Sequence, residues 1–206
     1  MGNWYTNICL AGVRQAEILD VLEELGRRAY VTPAISSWCT VYDQECDRFD
    51  LDVLESLALT LSTRLNCTAL ASFNADDDVL WLGIYENGNR TARYASTRAF
   101  FEDGEDFPRL SEVAAHFCRI FDRPRASAAV HHILRRHHSA LGLLALIVRI
   151  PFAYLFEISR HQDLQRVLNF PPATIGLGYK YVDRGEMPPD VGPESMQRTS
   201  AGKSNS

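Results

Sequence analysis

The sequence has no excess of positive charge and no cysteine framework. Its 206 residues contain 21 Lys and Arg against 26 Asp and Glu, which gives a formal net charge of −5. Binding to nucleic-acid phosphates requires a basic surface, so this balance argues against nucleic acid as a partner. The five cysteines are an odd number without a C-x-x-C pair, and we therefore expect reduced thiols and a cytoplasmic location.

The common catalytic signatures are also missing. The chain contains no G-x-S-x-G, no P-loop, no H-E-x-x-H and no kinase loop. The segment "GLGYKY" at 176–181 lacks the third glycine and the following helix of a dinucleotide-binding turn. These absences predict a protein without a cofactor and favour a non-enzymatic role.

One long apolar run, "ALGLLALIVRIPFAYLF" at 140–156, is the only candidate for a membrane segment. Arg149 and Pro151 interrupt it near the middle, and the run is at the short end for crossing a bilayer. We expect a buried helix that breaks at Pro151, and no membrane insertion.

Residues 1–98 show the alternating patterns of a mixed sheet domain. Apolar alternation and turn signals predict the order β-α-β-β-α-β-β-β. The second helix has the clearest stripe, formed by Leu54, Leu57, Leu61 and Leu65. The expected fold class is α+β, an antiparallel sheet with two helices on one face, similar to a split β-α-β sandwich.

The remaining chain divides into three parts. Residues 99–108 are predicted to be a connecting loop, and 109–184 a mainly helical C-terminal region. Residues 185–206 are rich in Pro, Ser and Gly and are predicted to be disordered.

Three blocks of this sequence resemble a bacterial protein family of unassigned function. They are "NWYTNICLAG", "VYDQECDRFDLDVLESLALTLSTRLNCTALASFNADDDVLWLGIYENG" and "RHQDLQRVLNFPPATIGLGYKYVDRGEMPP", about half of the chain. The resemblance implies a bacterial, cytosolic protein, and it implies no activity or catalytic residues.

Two acidic groups are the candidates for a divalent-metal site. Asp76, Asp77 and Asp78 lie between two apolar runs, where Asn74 and the aspartates favour a solvated hairpin turn. Asp43 and Asp47 precede the second helix. If both loops met at one sheet edge, their carboxylates could bind a metal ion, which is the alternative interpretation.

A basic, histidine-rich segment follows in the helical region. In "HHILRRHH", His131 and His138 share a helix face, but seven residues rise about 10.5 Å, too far for one zinc ion. The segment is instead predicted to be a basic surface, either solvated or binding an acidic partner. Its residues are Arg119, Arg123, Arg125, His131, Arg135, Arg136 and His138.

Two Glu-x-x-x-His pairs, Glu112/His116 and Glu157/His161, have the spacing of ion pairs on a helix surface. Taken together, these patterns predict a non-enzymatic cytosolic interaction or regulatory protein whose partner is another protein. The alternative is an enzyme or metal-binding protein that uses the acidic loops at 43–50 and 76–78.

Overall fold

The first part of the chain forms six strands and two helices in the predicted order. The computed structural model describes residues 2–97, 108–135, 137–138, 153–154, 156–189 and 191–200. The strands are β1 (Tyr5–Ala11), β2 (Ala29–Val31), β3 (Trp38–Asp43), β4 (Thr68–Ala75), β5 (Val79–Glu86) and β6 (Asn89–Ala95). The helices are α1 (Gln15–Glu24) and α2 (Leu51–Arg64).

All of these strands join one antiparallel sheet. In the described residues its order is β6-β5-β4-β1-β3-β2, with a last strand, β9 (Gln197–Arg198), beside β2. The inner order β4-β1-β3-β2, with α1 and α2 as connections, is that of a split β-α-β sandwich. The predicted α+β class is confirmed.

Helices α1 and α2 pack on one face of the sheet through apolar side chains. Leu54, Leu57 and Leu61 of α2 are buried against Ile8 and Phe73 of the sheet, as the stripe predicts, and Leu65 packs at the margin. Asp50 begins α2 by accepting hydrogen bonds from the first backbone N–H groups of the helix.

The C-terminal helices pack on the opposite face. They are α3 (Leu110–Ile120), α4 (Ser127–Arg135), α5 (Glu157–Leu168) and the short α6 (Tyr179–Asp183). Val113, Phe117, Val130 and Leu164 form one core with Leu82 and other residues of the sheet. The region predicted as 109–184 therefore shares its core with the sheet.

Two short strands, β7 (His137–His138) and β8 (Ala153–Tyr154), pair in parallel.

Most of the apolar run at 140–156 and almost all of the predicted loop at 99–108 lie outside the described residues. At the end of the run Tyr154 is buried and Phe156 is exposed. Within the described parts of the chain, no helix has both the length and the apolar character needed to cross a bilayer.

The end of the chain differs from the predicted disordered tail. Strand β9 pairs with β2, and Thr199 is buried. The Thr199 hydroxyl donates to the Arg27 carbonyl at 2.8 Å and accepts from the Ala29 N–H at 3.1 Å. Residues 191–200 are ordered here because the outer edge of β2 offers backbone groups that a polar, glycine-containing segment can pair with.

Candidate functional site

The three consecutive aspartates form the hairpin turn between β4 and β5. Asp76 and Asp77 have positive φ angles of 53° and 60°, and the Asp78 N–H donates to the Ala75 carbonyl at 3.0 Å. Two-residue hairpin turns require this backbone conformation, which Asp tolerates better than most residues. The predicted turn is confirmed.

The turn is solvated only in part, because Asp76 and Asp78 are exposed and Asp77 is buried. Asp76 Oδ1 accepts from the Gly2 N–H at 2.9 Å and from Trp4 Nε1 at 3.1 Å. Asp77 is buried, and its Oδ2 accepts from the Asn3 N–H at 2.9 Å. These carboxylates hold the start of the chain against the turn.

The other acidic group has different partners. Asp43 accepts two hydrogen bonds from the Arg27 guanidinium and also caps the backbone N–H groups of Glu45 and Cys46. Asp47 Oδ2 accepts from the Lys180 N–H at 2.9 Å. Burial raises the pKa of the Asp47 carboxyl, against the hydrogen bond from Lys180.

The two acidic loops therefore do not converge on a common point. Each of Asp43, Asp47, Asp76 and Asp77 binds backbone or arginine groups of its own surroundings. In the part of the chain that the structure describes, no group of three or more His, Cys, Asp or Glu side chains could hold a metal ion.

The predicted basic segment is spread along the α3–α4 hairpin. Arg119 lies in the last turn of α3, Arg123 and Arg125 lie in the connection, and Arg135 ends α4; all four are exposed. His131 is partly buried. Arg136 and the side chain of His138 are outside the described residues.

These arginines differ in their partners. Arg119 donates to Glu86 at 2.6 Å, with His116 bound to the same carboxylate at 3.0 Å. Arg123, Arg125 and Arg135 have no side-chain hydrogen bond or ion pair within the described residues. Seven other described arginines are paired with carboxylates, namely Arg14, Arg27, Arg64, Arg90, Arg160, Arg166 and Arg198. Four more, Arg28, Arg48, Arg109 and Arg184, are exposed and have no side-chain partner among the described residues.

A buried polar cluster on α5 was missed by the sequence analysis. It forms where the first turns of α5 pack on the starts of β1 and β5 and on the β4–β5 turn. Glu157, Arg160 and His161 have no exposed surface. The prediction of ion pairs on a helix surface is wrong for both Glu-x-x-x-His pairs, because His116 pairs with Glu86, Glu157 with Arg160, and His161 with Tyr5.

Glu157 and Arg160 form a bidentate pair inside the protein. Arg160 Nε donates to Glu157 Oε2 at 2.7 Å and Nη2 to Oε1 at 3.2 Å. Its Nη1 donates to the Ile133 carbonyl at 2.7 Å and the Leu134 carbonyl at 3.3 Å, at the end of α4. The guanidinium also lies 4.7 Å from the centre of the Tyr154 ring. One side chain thus connects α5 to α4 and β8.

His161 is held by Tyr5 at the start of β1. Tyr5 Oη and His161 Nδ1 are 2.7 Å apart. Burial lowers the pKa of His161 to about 3, so the imidazole is neutral at physiological pH. Burial also raises the pKa of the Tyr5 phenol far above its ordinary value, against hydrogen bonds from Asn74 and the Gly176 N–H.

A signal for this cluster was present in the sequence. The buried positions of α5 are Glu157, Arg160, His161, Leu164 and Leu168. Extending the Leu164–Leu168 stripe toward the N-terminus at helical spacing leads to Arg160, His161 and Glu157. What the spacing does not reveal is their partners, because Tyr5 lies 156 residues away in sequence.

Chemically, the arrangement locks helices to the sheet. The Glu157 N–H also donates to the Asp77 carbonyl at 2.8 Å, so the hairpin turn accepts the first N–H group of α5. With Tyr5, Glu157, Arg160 and His161 completely covered, a substrate cannot reach them in this conformation.

Comparison with protein-family models, with curated proteins and with solved structures finds no match for this chain. The resemblance to a bacterial family of unassigned function therefore stays a prediction.

Proposed function

We propose that this chain is a non-enzymatic cytoplasmic interaction protein that binds an acidic protein partner through the α3–α4 loop. The observation that carries the proposal is that Arg123 and Arg125 are both exposed in one short loop that lines an open groove. Neither side chain has an ion-pair partner among the described residues.

The loop is well suited to present these two charges. It is anchored by the Arg123 N–H, which donates to the Cys118 carbonyl at 2.7 Å, and by Phe121, whose ring stacks 5.1 Å from Trp38. Pro124 begins a single 3-10 turn there. A fixed loop loses little conformational entropy on binding, so its charges favour association more than those of a mobile segment.

The shape of the loop is also compatible with a docked side chain or peptide. Residues 122–126 line an open groove of about 430 Å³. Two arginines beside a groove can bind carboxylates in the bidentate geometry that Arg prefers. Because the whole chain carries a net charge of −5, attraction to an acidic partner must be local and must weaken with salt.

The cytoplasmic part of the proposal is supported by the thiols. All five cysteines are free and buried. Free, buried thiols are typical of proteins in a reducing compartment.

The test compares the variant Arg123→Glu/Arg125→Glu with the matched control Arg48→Glu/Arg184→Glu. The control makes the same charge change at two exposed arginines that also have no described partner. Proteins retained from native lysate by the wild type are identified by mass spectrometry, purified, and titrated against each variant.

We expect an acidic partner whose affinity falls roughly tenfold or more with the loop variant, and less than about twofold with the control. Raising the salt concentration should weaken wild-type binding. Equal affinity for both variants, or a partner without acidic surface, would refute the proposal.

A further inference from the structure

A short segment around β9 lies along the outer edge of β2. Two residue pairs join it to β2 in antiparallel register, Tyr30 with Arg198 and Val31 with Gln197. Adding a strand to the edge of a sheet is a common way in which proteins bind extended peptides, because the backbone groups of the edge pair with those of the peptide. We refer to residues 195–200 as the β9 segment.

The start of β2 and the end of α1 bind two hydroxyl residues of this segment. The Thr199 N–H donates to the Ala29 carbonyl at 3.0 Å. The Thr199 hydroxyl donates to the Arg27 carbonyl at 2.8 Å and accepts from the Ala29 N–H at 3.1 Å. The Ser200 N–H and hydroxyl both donate to Glu23 Oε1, each at 2.8 Å. These contacts favour two consecutive hydroxyl residues, because an aliphatic side chain could make none of the hydroxyl bonds.

Aromatic and acidic groups surround the residue before these two. The Arg198 guanidinium lies 5.1 Å from the centre of the Tyr30 ring, and its Nη2 donates to the Tyr179 hydroxyl at 2.8 Å. Asp183 Oδ1 lies 3.5 Å from the same Nη2. A cation is attracted both by the face of an aromatic ring and by a carboxylate, so this place favours a basic residue.

The β9 segment is held mainly by polar contacts. Met196 is its one apolar residue and is only partly buried. Gln197, Arg198 and Ser200 are exposed. Hydrogen bonds to water replace most of these contacts when the segment detaches, so each contact adds little to its net stability. Segments with few buried apolar contacts open at a low free energy, and we therefore expect this one to detach while the sheet stays folded.

We propose that the edge of β2 binds an extended peptide of a partner protein, with a basic residue followed by two hydroxyl residues, and that the β9 segment is its internal competitor. The β2 backbone recognises the strand, and Glu23, Tyr30 and Asp183 recognise its side chains. None of these contacts requires the ligand to belong to the same chain. The site shares no residue with the α3–α4 loop, so it does not depend on the partner proposed for that loop.

A second copy of this chain is a less suitable occupant. A strand that is tethered beside its own site competes at an effective concentration of about a millimolar. The β9 segment of a second copy makes the same contacts without this advantage, so at micromolar protein concentration each segment stays on its own chain. The displacing peptide therefore comes from a partner that binds this edge more tightly than the β9 segment does.

The test uses the full chain with the β9 segment released by two separate variants, Thr199→Glu and Arg198→Pro. Glutamate places a charge between backbone groups that fit a hydroxyl, and proline removes a backbone N–H from the strand. Neither residue belongs to a hydrophobic core, so the sheet should fold in both variants. A fluorescent peptide with the sequence of residues 193–200, PESMQRTS, is titrated against each variant and the wild type. We expect it to bind both variants at least about tenfold more tightly than the wild type, in which the β9 segment competes.

Substitutions in the peptide and in the site test the recognised residues. The peptide changes Thr199→Val and Arg198→Glu should each weaken binding to the released variants by roughly tenfold or more. In the protein, Glu23→Arg combined with Thr199→Glu should weaken binding of the unchanged peptide to a similar extent. The matched control is Glu24→Arg on the same helix, whose carboxylate pairs with Arg64, and its effect should stay below about twofold.

Hydrogen exchange at the Ala29 amide reports whether the segment has been released, because this N–H donates to Thr199. Faster exchange in both variants without binding of the peptide would overturn the proposal. Unchanged protection in both variants would also overturn it, because the β9 segment would then be a fixed part of the sheet. A wild-type dimer that Thr199→Glu abolishes would assign the edge to a second copy and contradict the proposed partner.

Discussion

The two faces of the sheet are packed in different ways. Under α1 and α2 the contacts are almost entirely apolar, with Leu54, Leu57 and Leu61 on Phe73 and Trp81. The opposite face has an apolar periphery under α3 and α4 and a polar centre under α5. The apolar face can be read from periodicity alone, whereas the polar centre depends on pairs that only the folded chain brings together.

The two faces should also differ in how much stability a substitution removes. An apolar face tolerates small changes, because neighbouring side chains can relax into part of the space. A buried ion pair tolerates the loss of one partner poorly, because the other charge is left in a low-dielectric interior. The loss in free energy of unfolding should therefore differ between substitutions on the two faces. The losses at exposed control positions should be similar.

The largest effect is expected at Arg160. Replacing Arg160 by Met should reduce the free energy of unfolding by about 3–5 kcal/mol, because the buried Glu157 carboxylate loses the bidentate pair with the Arg160 guanidinium. Denaturant unfolding measures the loss. The control is Arg166→Met on the same helix, whose pair with Asp163 is exposed, so the loss should stay below about 1 kcal/mol. Equal losses at Arg160 and Arg166 would show that the buried ion pair matters no more to stability than the exposed one.

A smaller loss is expected on the apolar face. Leu61 is completely buried under α2, and Leu61→Ala should reduce the free energy of unfolding by about 3 kcal/mol. Leu59 on the same helix is 39% exposed, and Leu59→Ala should lose less than about 1 kcal/mol. If Leu61→Ala loses less than about 0.5 kcal/mol in denaturant unfolding, then α2 does not pack as described.

The two faces should also differ in how the free energy of unfolding depends on pH. Because the pKa of His161 is about 3 in the folded protein and 6.5 in the unfolded chain, the unfolded chain binds the extra proton between these values. The contribution of neutral His161 to the free energy of unfolding is therefore fully present above roughly pH 6.5. It decreases by up to about 1.4 kcal/mol for each pH unit between 6.5 and 3.

His161→Gln should reduce this dependence of the free energy of unfolding on pH by up to about 1.4 kcal/mol per unit. The charged and titratable neighbours, Tyr5, Asp77, Glu157 and Arg160, are the same in both proteins, so they do not account for the difference. Unfolding curves between pH 4 and 7 measure both slopes. The same slope in wild type and variant would mean that His161 is not buried in its neutral form.

The smallest effect is expected from divalent metals. Calcium, magnesium or manganese should leave the melting temperature unchanged, because Asp43, Asp47 and Asp76 bind protein groups in separate places. A rise at sub-millimolar metal that Asp77→Ala abolishes would restore the metal-binding alternative.

Much of the sheet and its apolar helices could be predicted from sequence. The stripe of α2, the turn at Asp76 and Asp77, and the order of the first eight elements depend on local spacing and turn chemistry. Strand β9 could not be predicted, because its pairing depends on an open edge of β2 about 170 residues earlier in the chain.

The sequence by itself determined the first eight strands and helices and the turn at Asp76 and Asp77, since these follow from periodicity and from the conformations that individual residues allow. It also determined the charge balance and the reduced state expected of the cysteines. Only the tertiary structure decided which polar residues are buried. A glutamate, an arginine or a histidine on a helix is ordinarily exposed, and burial becomes favourable only when a partner meets it. Here that partner is Tyr5 for His161, and the carbonyls that end α4 for Arg160, which distant segments supply on folding.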